Sequence, residues 1–208
     1  SLPIAAQLSE ARRRLSSKTD CRKFIAYFQA FTNTYAPVEY LEKIFYEAIS
    51  DPSVCVLSIG TRTDCFNDEI YDLLSRLNNI KPVWIELGLQ SIHQSTLDAM
   101  NTHTKVSDFT VVCNELNKRS IKVIAHLILG LPGETKEMML ESVDFAAKSN
   151  IFGIKLQLLH VLRNTKLAEL YEKDPFPLFS LEEYCDFIVD CIEWLPPGLV
   201  ILRMTGDG

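Results

Sequence analysis

The chain has 208 residues, of which 47% are hydrophobic, and a formal net charge of −6. A chain of this length and apolar content can bury one substantial core, which argues against intrinsic disorder. The acidic balance argues against general affinity for nucleic acid, and no apolar run approaches the roughly 20 residues of a membrane helix. We therefore expect one cytoplasmic domain over residues 1–208, with no membrane anchor and no DNA footprint.

Predicted helices and strands alternate along the chain. Apolar spacing predicts helices over 4–15, 37–50 and 68–77, two helical pieces that divide near residue 101, and helices over 136–149, 167–171 and 181–195. Apolar runs predict strands over 24–30, 54–60, 83–89, 121–129 and 154–159, and a last apolar stretch covers 199–204. This rhythm is typical of βαβ units in a parallel sheet, either doubly wound or closed into a barrel.

Successive side chains of a strand point to opposite faces, so the parity of the residue numbers sorts them. In three predicted strands the uniformly apolar face should pack against helices. The opposite face then carries polar side chains near the strand ends: Gln29, Glu86, Gln90 and His126. Ligand sites in parallel α/β folds lie at those ends, so we expect these four side chains to share one cavity mouth.

Two more polar residues, Lys155 and Gln157, have the parity that points to the same interior. Because a buried carboxylate is costly without a partner, Glu86 needs a cation or a donor, and Lys155 is a candidate. His160 has the opposite parity, and only a bulge or the end of the strand would turn it inward.

The segment Gly-Leu-Pro-Gly-Glu at 130–134 follows a predicted strand and opens a helix. Its glycines permit a tight turn and a close approach of the backbone to a ligand, and the helix N-terminus offers unpaired N–H groups. Taken alone, this segment predicts only a turn.

Six cysteines stand at positions 21, 55, 65, 113, 185 and 191, and no two have the C-x-x-C spacing. Cys55, Cys113 and Cys185 lie inside apolar segments. This distribution predicts free, buried thiols in a reducing compartment, with neither a disulfide framework nor structural zinc.

Five stretches together carry a resemblance to a known family: FIAYFQAFTNTY at 24–35, TRTDC at 61–65, WIELGLQSIHQSTL at 84–97, HLILGLPGET at 126–135 and IKLQLLHVLRNTKLAEL at 154–170. The chain resembles an uncharacterised bacterial branch of the radical S-adenosylmethionine (SAM) superfamily. That branch is grouped with the Elongator catalytic subunit, the methylthiotransferases and NifB. The resemblance covers nearly the whole chain.

The resemblance implies an α/β fold, a partial (β/α)6 TIM-like barrel of parallel strands. It also implies an oxidoreductase with two cofactors, SAM and a [4Fe–4S] cluster, which together cleave SAM reductively to a 5′-deoxyadenosyl radical. The cluster cysteines follow the first barrel strand in that family. On this mapping the first strand and the cluster loop are missing, so we expect a fragment that is inactive alone. The start at Ser1, without an initiator Met or a signal peptide, is typical of a cloned piece.

The resemblance also implies roles for individual residues. The segment 29–34, which includes Gln29, Thr32 and Asn33, would receive the SAM amino group. The positions of Glu86 and Gln90 face the ribose and methionine, and His126 with the turn Gly130 to Gly133 approaches the adenine. Arg62, in the TRTDC stretch, and Gln157 complete the candidate cofactor-binding residues.

One position departs from the family pattern. Relatives have N-R-G-H-T where this chain has NTHTK at 101–105, so Thr102 replaces the Arg expected near the SAM carboxylate. Lys105 is a candidate substitute, although a Lys lacks the bidentate fork of an Arg.

Two alternative functions stay open at this point. One is a metal-dependent hydrolase on a TIM-like barrel, with Glu86, His126 and either Asp64 or His160 as ligands. The other is a non-catalytic binding module that kept the barrel. For the radical SAM enzyme we expect an electron donor such as flavodoxin or ferredoxin as partner and an unknown substrate, with RNA or tRNA modification suggested by kinship alone.

Overall fold

The computed structural model describes residues 2–102 and 104–205. Eight helices lie in this part of the chain: Ile4–Leu15 (α1), Val38–Ser50 (α2), Asp68–Asn78 (α3), Gln94–Ala99 (α4), Val106–Lys118 (α5), Lys136–Lys148 (α6), Lys166–Lys173 (α7) and Leu181–Trp194 (α8). Six strands lie there too: Phe24–Phe28 (β1), Val54–Thr61 (β2), Val83–Gln90 (β3), Lys122–Leu129 (β4), Gly153–Leu158 (β5) and Val200–Arg203 (β6). The strands follow the order of the chain in a six-stranded sheet, β1-β2-β3-β4-β5-β6. The predicted alternation of strands and helices is confirmed.

Polar caps fix where several helices begin. The Asn67 side chain accepts a hydrogen bond from the backbone N–H of Ile70 at the start of α3, and Thr135 caps α6 in the same way. At the start of α8, Ser180 and Glu183 form a capping box in which each side chain accepts from the other's backbone N–H. These contacts satisfy N–H groups that have no partner within the helix.

The residues form two compact units. Unit 1 comprises the chain up to Leu87 together with Asn114–Val123. Unit 2 comprises Gly88–Cys113 and the chain from Ile124 onward. The sequence predicted a single domain, and that stays a prediction.

Unit 1 contains parallel pairs between β1 and β2 and between β2 and β3. Its core lies between these strands and helices α2 and α3, with Phe45, Leu57 and Leu73 fully buried. The Phe28 ring meets the Phe45 ring edge-on at 5.0 Å between centroids, which anchors the end of β1 to α2.

Unit 2 contains parallel pairs between β4 and β5 and between β5 and β6. Its buried core includes Leu127, Val143, Leu156 and Phe187. The pairing places His126 beside Lys155 and Lys155 beside Arg203.

The parity prediction is confirmed in β3 and β4. The odd-numbered side chains of both strands are at most 3% exposed. In β1, however, the predicted strand over 24–30 is two residues too long. Ala30 and Phe31 have positive φ values of 57° and 65°, so the chain leaves the extended conformation after Phe28.

All six cysteines are free thiols, as predicted, but the predicted burial is wrong at three of them, the exposed Cys21, Cys55 and Cys185. Cys113 is buried, whereas Cys55 and Cys185 are exposed. Cys55 lies where the β1–β2 pairing passes from Val54 to Val56, so it does not follow the parity of the rest of its strand. In α8 the neighbouring Tyr184 is buried instead of Cys185. Among the described helices, none is long and apolar enough to cross a membrane.

Candidate functional site

The loop after β1 gathers backbone oxygens around one side chain. The Asn33 Nδ2 atom lies within hydrogen-bonding distance of the carbonyl oxygens of Phe28 at 3.2 Å, Ala30 at 3.3 Å, Phe31 at 3.3 Å and Gly60 at 3.0 Å, and its two N–H donors are shared among them. We call these four carbonyl groups the oxygen cluster. Each carbonyl oxygen has two lone pairs, so the cluster can accept from a further N–H donor.

The oxygen cluster depends on an unusual backbone. Ala30 and Phe31 are consecutive residues with positive φ, a conformation that costs side-chain-bearing residues roughly 1–2 kcal/mol each. The Asn33 amide offsets part of this cost because it bonds to carbonyl groups of both residues. Beside this loop, Gln29 is exposed and Thr32 is half-buried.

Hydrogen bonds tie this loop to the end of β2. The Asn33 backbone N–H donates to the Gly60 carbonyl at 3.1 Å. The Thr34 hydroxyl lies 2.6 Å from the Thr61 hydroxyl and donates to the Cys65 carbonyl at 2.9 Å. The two loops that follow β1 and β2 are therefore one connected structure.

Arg62 is held by its neighbour Asp64. The guanidinium donates through Nε to Asp64 Oδ1 at 2.9 Å and through Nη2 to the other carboxylate oxygen. Arg62 lowers the pKa of Asp64, so this carboxyl stays ionised. The predicted cofactor-binding residue Arg62 is thus oriented before any ligand arrives.

Glu86 is buried on β3, with 4% of its surface exposed. Its Oε1 atom accepts a hydrogen bond from the Ser58 hydroxyl at 2.7 Å. In the β2–β3 pairing Ser58 lies beside Trp84 and Gly60 lies beside Glu86. The carboxylate that the sequence singled out is therefore in unit 1, close to the strand end that carries part of the oxygen cluster.

Gln90 ends β3 in a left-handed conformation, with φ of 63°. Its side-chain amide folds back over Gly88, where an added Cβ would lie 2.8 Å from Gln90 Nε2. The glycine therefore makes room for the Gln90 amide at the carboxyl end of the strand.

Polar side chains of β4 and β5 meet in unit 2. The His126 Nδ1 atom lies 3.4 Å from Gln157 Nε2, and Lys155, as predicted, is buried with 7% exposure. His160 follows the end of β5, and its buried Nε2 has no hydrogen-bond partner among the described residues. An unpaired buried nitrogen at a strand end is a position where a ligand group can donate or accept.

The turn after β4 places two glycines in left-handed conformations, Gly130 with φ of 89° and Gly133 with φ of 83°. The Phe179 ring packs against Gly130, where a Cβ would come within 3.3 Å of it. An added Cβ at Gly133 would meet nothing within 4 Å. The predicted turn is confirmed, and its backbone at Gly133 is open to a ligand.

The predicted site residues fall in both units. Gln29, Thr32, Asn33, Arg62 and Glu86 belong to unit 1, whereas Gln90, His126, Gly130, Gly133 and Gln157 belong to unit 2. That Gln29, Glu86, Gln90 and His126 share one cavity mouth stays a prediction.

The segment that departs from the family pattern is held by its own backbone. The Thr102 hydroxyl donates to the Leu97 carbonyl at 3.2 Å and lies 3.1 Å from the Thr104 hydroxyl. Lys105 is exposed, and position 103 lies outside the described residues.

The side chains and carbonyls fit SAM but do not fit its iron–sulfur partner. The oxygen cluster supplies acceptors for an ammonium group, and Glu86 supplies a buried acceptor for hydroxyl groups. In residues 2–102 and 104–205, however, no group of three His, Cys, Asp or Glu side chains is arranged to hold a metal ion. This part of the chain therefore offers a ligand set neither for a [4Fe–4S] cluster nor for the metal of the alternative hydrolase.

Comparison with known families decides the kinship. The Radical SAM superfamily profile matches residues 6–146, and the Radical_SAM C-terminal domain profile matches residues 151–208. The chain belongs to the radical SAM superfamily. This membership implies SAM and a [4Fe–4S] cluster as cofactors of the family.

The relatives of this chain are longer than the chain itself. The uncharacterized protein YtqA of Bacillus subtilis is 38% identical over 205 residues, which are 99% of this chain and 64% of YtqA. The tRNA uridine(34) acetyltransferase of Methanocaldococcus jannaschii is 28% identical over 162 residues, which are 74% of this chain and 28% of that protein. The radical SAM chain thus spans less than two thirds of the length of these relatives.

A solved structure shows the fold. The archaeal Elp3 of Methanocaldococcus infernus, with an N-terminal deletion of residues 1–46, matches 99% of this chain and 53% of its own, with a TM-score of 0.85 at 21% identity. The predicted fold class, a partial TIM-like α/β barrel of parallel strands, is confirmed. Elongator complex protein 3 of Homo sapiens is 25% identical over 183 residues, which are 84% of this chain and 31% of that protein, so the predicted kinship with the Elongator catalytic subunit is confirmed as well.

Several contributors to the site escaped the sequence reasoning. The oxygen cluster consists of backbone atoms of hydrophobic residues, which carry no side-chain signal. Ser58 and Gly60 left a signal that went unused, because they are the small residues of one face of β2, opposite the buried Leu57 and Ile59. A face of small residues beside Glu86 is typical of a strand that leaves room for a ligand.

Proposed function

We propose that this chain is the SAM-binding core of a radical SAM enzyme. The observation that supports the proposal is the oxygen cluster, four carbonyl groups within 3.0–3.3 Å of one amide nitrogen, in a chain of the radical SAM superfamily. An ammonium group needs several convergent acceptors, and SAM carries one on its methionine portion.

In this proposal the chain binds and orients, while the cofactors perform the bond cleavage. When bound, SAM and a reduced [4Fe–4S] cluster would supply the reductive cleavage of SAM. The oxygen cluster would accept from the ammonium group, and Glu86, fixed by the Ser58 hydroxyl, would accept from the ribose hydroxyls. Gln90 would face the same ribose and methionine portion, and His126 with the open backbone at Gly133 would hold the adenine. The ligands of the [4Fe–4S] cluster come from outside the described residues.

The proposed substrate is an RNA, and the proposed electron donor is a flavodoxin or a ferredoxin. Support for RNA comes from the relative that is named tRNA uridine(34) acetyltransferase. The chain's net charge of −6 gives this proposal no electrostatic support. An RNA substrate would therefore need a basic surface on the rest of the whole protein.

The test uses the full-length protein after anaerobic reconstitution of its cluster. Reductant should convert SAM to 5′-deoxyadenosine and methionine, which chromatography detects. SAM affinity, measured by calorimetry, should fall about tenfold in Glu86→Gln, because a tenfold loss corresponds to about 1.4 kcal/mol and one charged hydrogen bond has that size. The proposal would be contradicted if the reconstituted full-length protein bound SAM neither as wild type nor as Glu86→Gln.

A non-catalytic SAM-binding module is a second candidate, and Thr102 favours it because the expected Arg is absent there. The two candidates differ in one measurement. A module binds SAM and releases no 5′-deoxyadenosine under reducing conditions, whereas an enzyme does both.

A further inference from the structure

A cavity of about 560 Å³ opens in unit 1 between the loops that follow β1 and β2. The first loop contributes Thr34 to Pro37, with Val38 at the start of α2. The second contributes Asp64 to Asn67, with Glu69 and Ile70 at the start of α3. This loop cavity and the oxygen cluster share no residue, and Thr34, which lines the cavity, directly follows Asn33 in the chain. None of the proposed roles in SAM binding uses it.

The walls of the loop cavity are fixed before a ligand arrives. Thr34 joins the two loops through its hydroxyl, which contacts Thr61 and the Cys65 carbonyl. The Phe66 ring stacks on Tyr71 at 5.3 Å, and Asn67 caps α3. A preformed cavity of this size holds a small organic group without a rearrangement of the fold.

The lining combines aromatic surface with negative charge. Tyr35, which is 81% exposed, and Phe66 provide rings, and Glu69 provides a carboxylate, whereas both oxygens of Asp64 are already bonded to Arg62. Among the described residues that line the cavity, none is basic. Burial raises the pKa of the Cys65 thiol, which therefore stays neutral. The side chains that face the cavity are thus neutral or anionic.

We propose that the loop cavity binds an organic cation, a guanidinium or primary ammonium group on a small aliphatic body. Aromatic rings attract cations through their electron-rich faces, and carboxylates accept the N–H groups of a guanidinium or ammonium. Arg62 shows the same chemistry inside the chain, because its guanidinium is already paired with Asp64. The inference goes beyond the proposed function, and it holds or fails without SAM or a cluster.

The experiment titrates the 208-residue chain with three probes and follows binding by NMR. Agmatine carries a guanidinium and a primary ammonium group and represents a small-molecule cation. N-acetylarginine amide carries only a guanidinium and represents a protein side chain. N-acetylcitrulline amide has nearly the same shape as the arginine probe without its charge. We expect saturable binding of at least one of the two cations, binding that weakens as salt is added, and at least fivefold weaker binding of the citrulline probe.

Two variants locate the site. Glu69→Gln should weaken binding of the better cation about fivefold, whereas Asp68→Asn should leave it nearly unchanged. Asp68 and Glu69 are neighbours in the first turn of α3, and only Glu69 lines the cavity. Tyr35→Ala should also weaken binding without changing the thermal unfolding midpoint, since the ring is mostly exposed.

Three results would overturn the inference: no saturable binding of either cation, equal binding of the citrulline probe, or equal losses in Glu69→Gln and Asp68→Asn. Tighter binding of cytidine than of either cation would overturn it as well, because the cavity would then select a neutral base. A failure of SAM cleavage by the full-length protein would leave these results unchanged, so the two proposals fail separately.

Discussion

Asn33 bonds twice to one oxygen: its side-chain amide donates to the Gly60 carbonyl at 3.0 Å, and its backbone N–H donates to the same carbonyl at 3.1 Å. This residue therefore joins the loop after β1 to the end of β2 and holds two residues of positive φ in place.

Asn33→Asp should lower the free energy of unfolding by about 1–3 kcal/mol, because a carboxylate cannot donate to the oxygen cluster and its negative charge repels the carbonyl oxygens. Urea unfolding measures the change. Asn67→Asp is the matched control, since its side chain only accepts a hydrogen bond at a helix cap and Asp caps equally well. Equal stability of the two variants would contradict the role assigned to Asn33.

Phe45→Ala should destabilise the chain by about 3–5 kcal/mol, because the ring is fully buried and supports Phe28 at the end of β1. Tyr40→Ala in the same helix should change the stability by less than about 0.5 kcal/mol, since that ring is 53% exposed. Denaturant unfolding of both variants checks the difference. A small effect of Phe45→Ala would show that β1 does not depend on α2.

The pH dependence of stability should include a contribution from Asp51. Hydrogen bonds from the Ser53 hydroxyl and backbone N–H, with the nearby Arg12, lower the pKa of Asp51 to about 2. A depressed pKa stabilises the fold above the ordinary pKa of the group, and that stability is lost as the pH falls toward 2. Asp51→Asn should therefore be about 1–2 kcal/mol less stable at neutral pH.

The deficit of Asp51→Asn should shrink as the pH is lowered from about 4 to about 2, where the wild-type carboxyl takes up its proton. Chemical unfolding at a series of pH values gives the two curves. Parallel curves over this interval would show that Asp51 makes no ionised contact in the native chain.

Gly130→Ala should lower the free energy of unfolding more than Gly133→Ala does. Both positions have positive φ, which costs an alanine roughly 1–2 kcal/mol. Only at Gly130 would the new methyl group press on the Phe179 ring, and such crowding adds about 1–3 kcal/mol. Thermal unfolding compares the variants, with Gly198→Ala as the control in open space. The reverse order would mean that Phe179 does not pack on the turn.

The six thiols should divide into classes when the native chain is treated with iodoacetamide. The exposed Cys21, Cys55 and Cys185 should react first. Burial raises the pKa of Cys113 and of Cys191 to about 12, so both should react only after unfolding. Mass spectrometry of the digested protein identifies the modified residues. Rapid labelling of Cys113 would place that thiol outside the core.

Strong periodicity made the fold readable from the sequence. Every odd-numbered position of 83–89 is apolar, so both the strand and its buried face were predicted correctly. The cysteines show the limit of this reasoning, because Cys55 has the same parity as the fully buried Leu57 and Ile59 and is still exposed. The pairing with β1 passes from Val54 to Val56 and skips Cys55, and neither hydropathy nor parity predicts such an irregularity.

The sequence predicted only those parts of the candidate site that consist of side chains. Glu86 stood out because a carboxylate in an apolar strand requires a partner, and the structure supplies Ser58 as one. The oxygen cluster was not readable, since the carbonyls of Ala30 and Phe31 converge only through a backbone conformation that Asn33 maintains across a distant strand end.

The tie between Asn33 and Gly60 limits how the loop after β1 can be transplanted. A peptide that copies 24–35 lacks the oxygen 27 positions further along, and nothing else in that peptide replaces it. A graft into another scaffold would need both segments on adjacent parallel strands in the same register. The smallest unit that can be engineered is therefore the pair of strands with the helix that connects them.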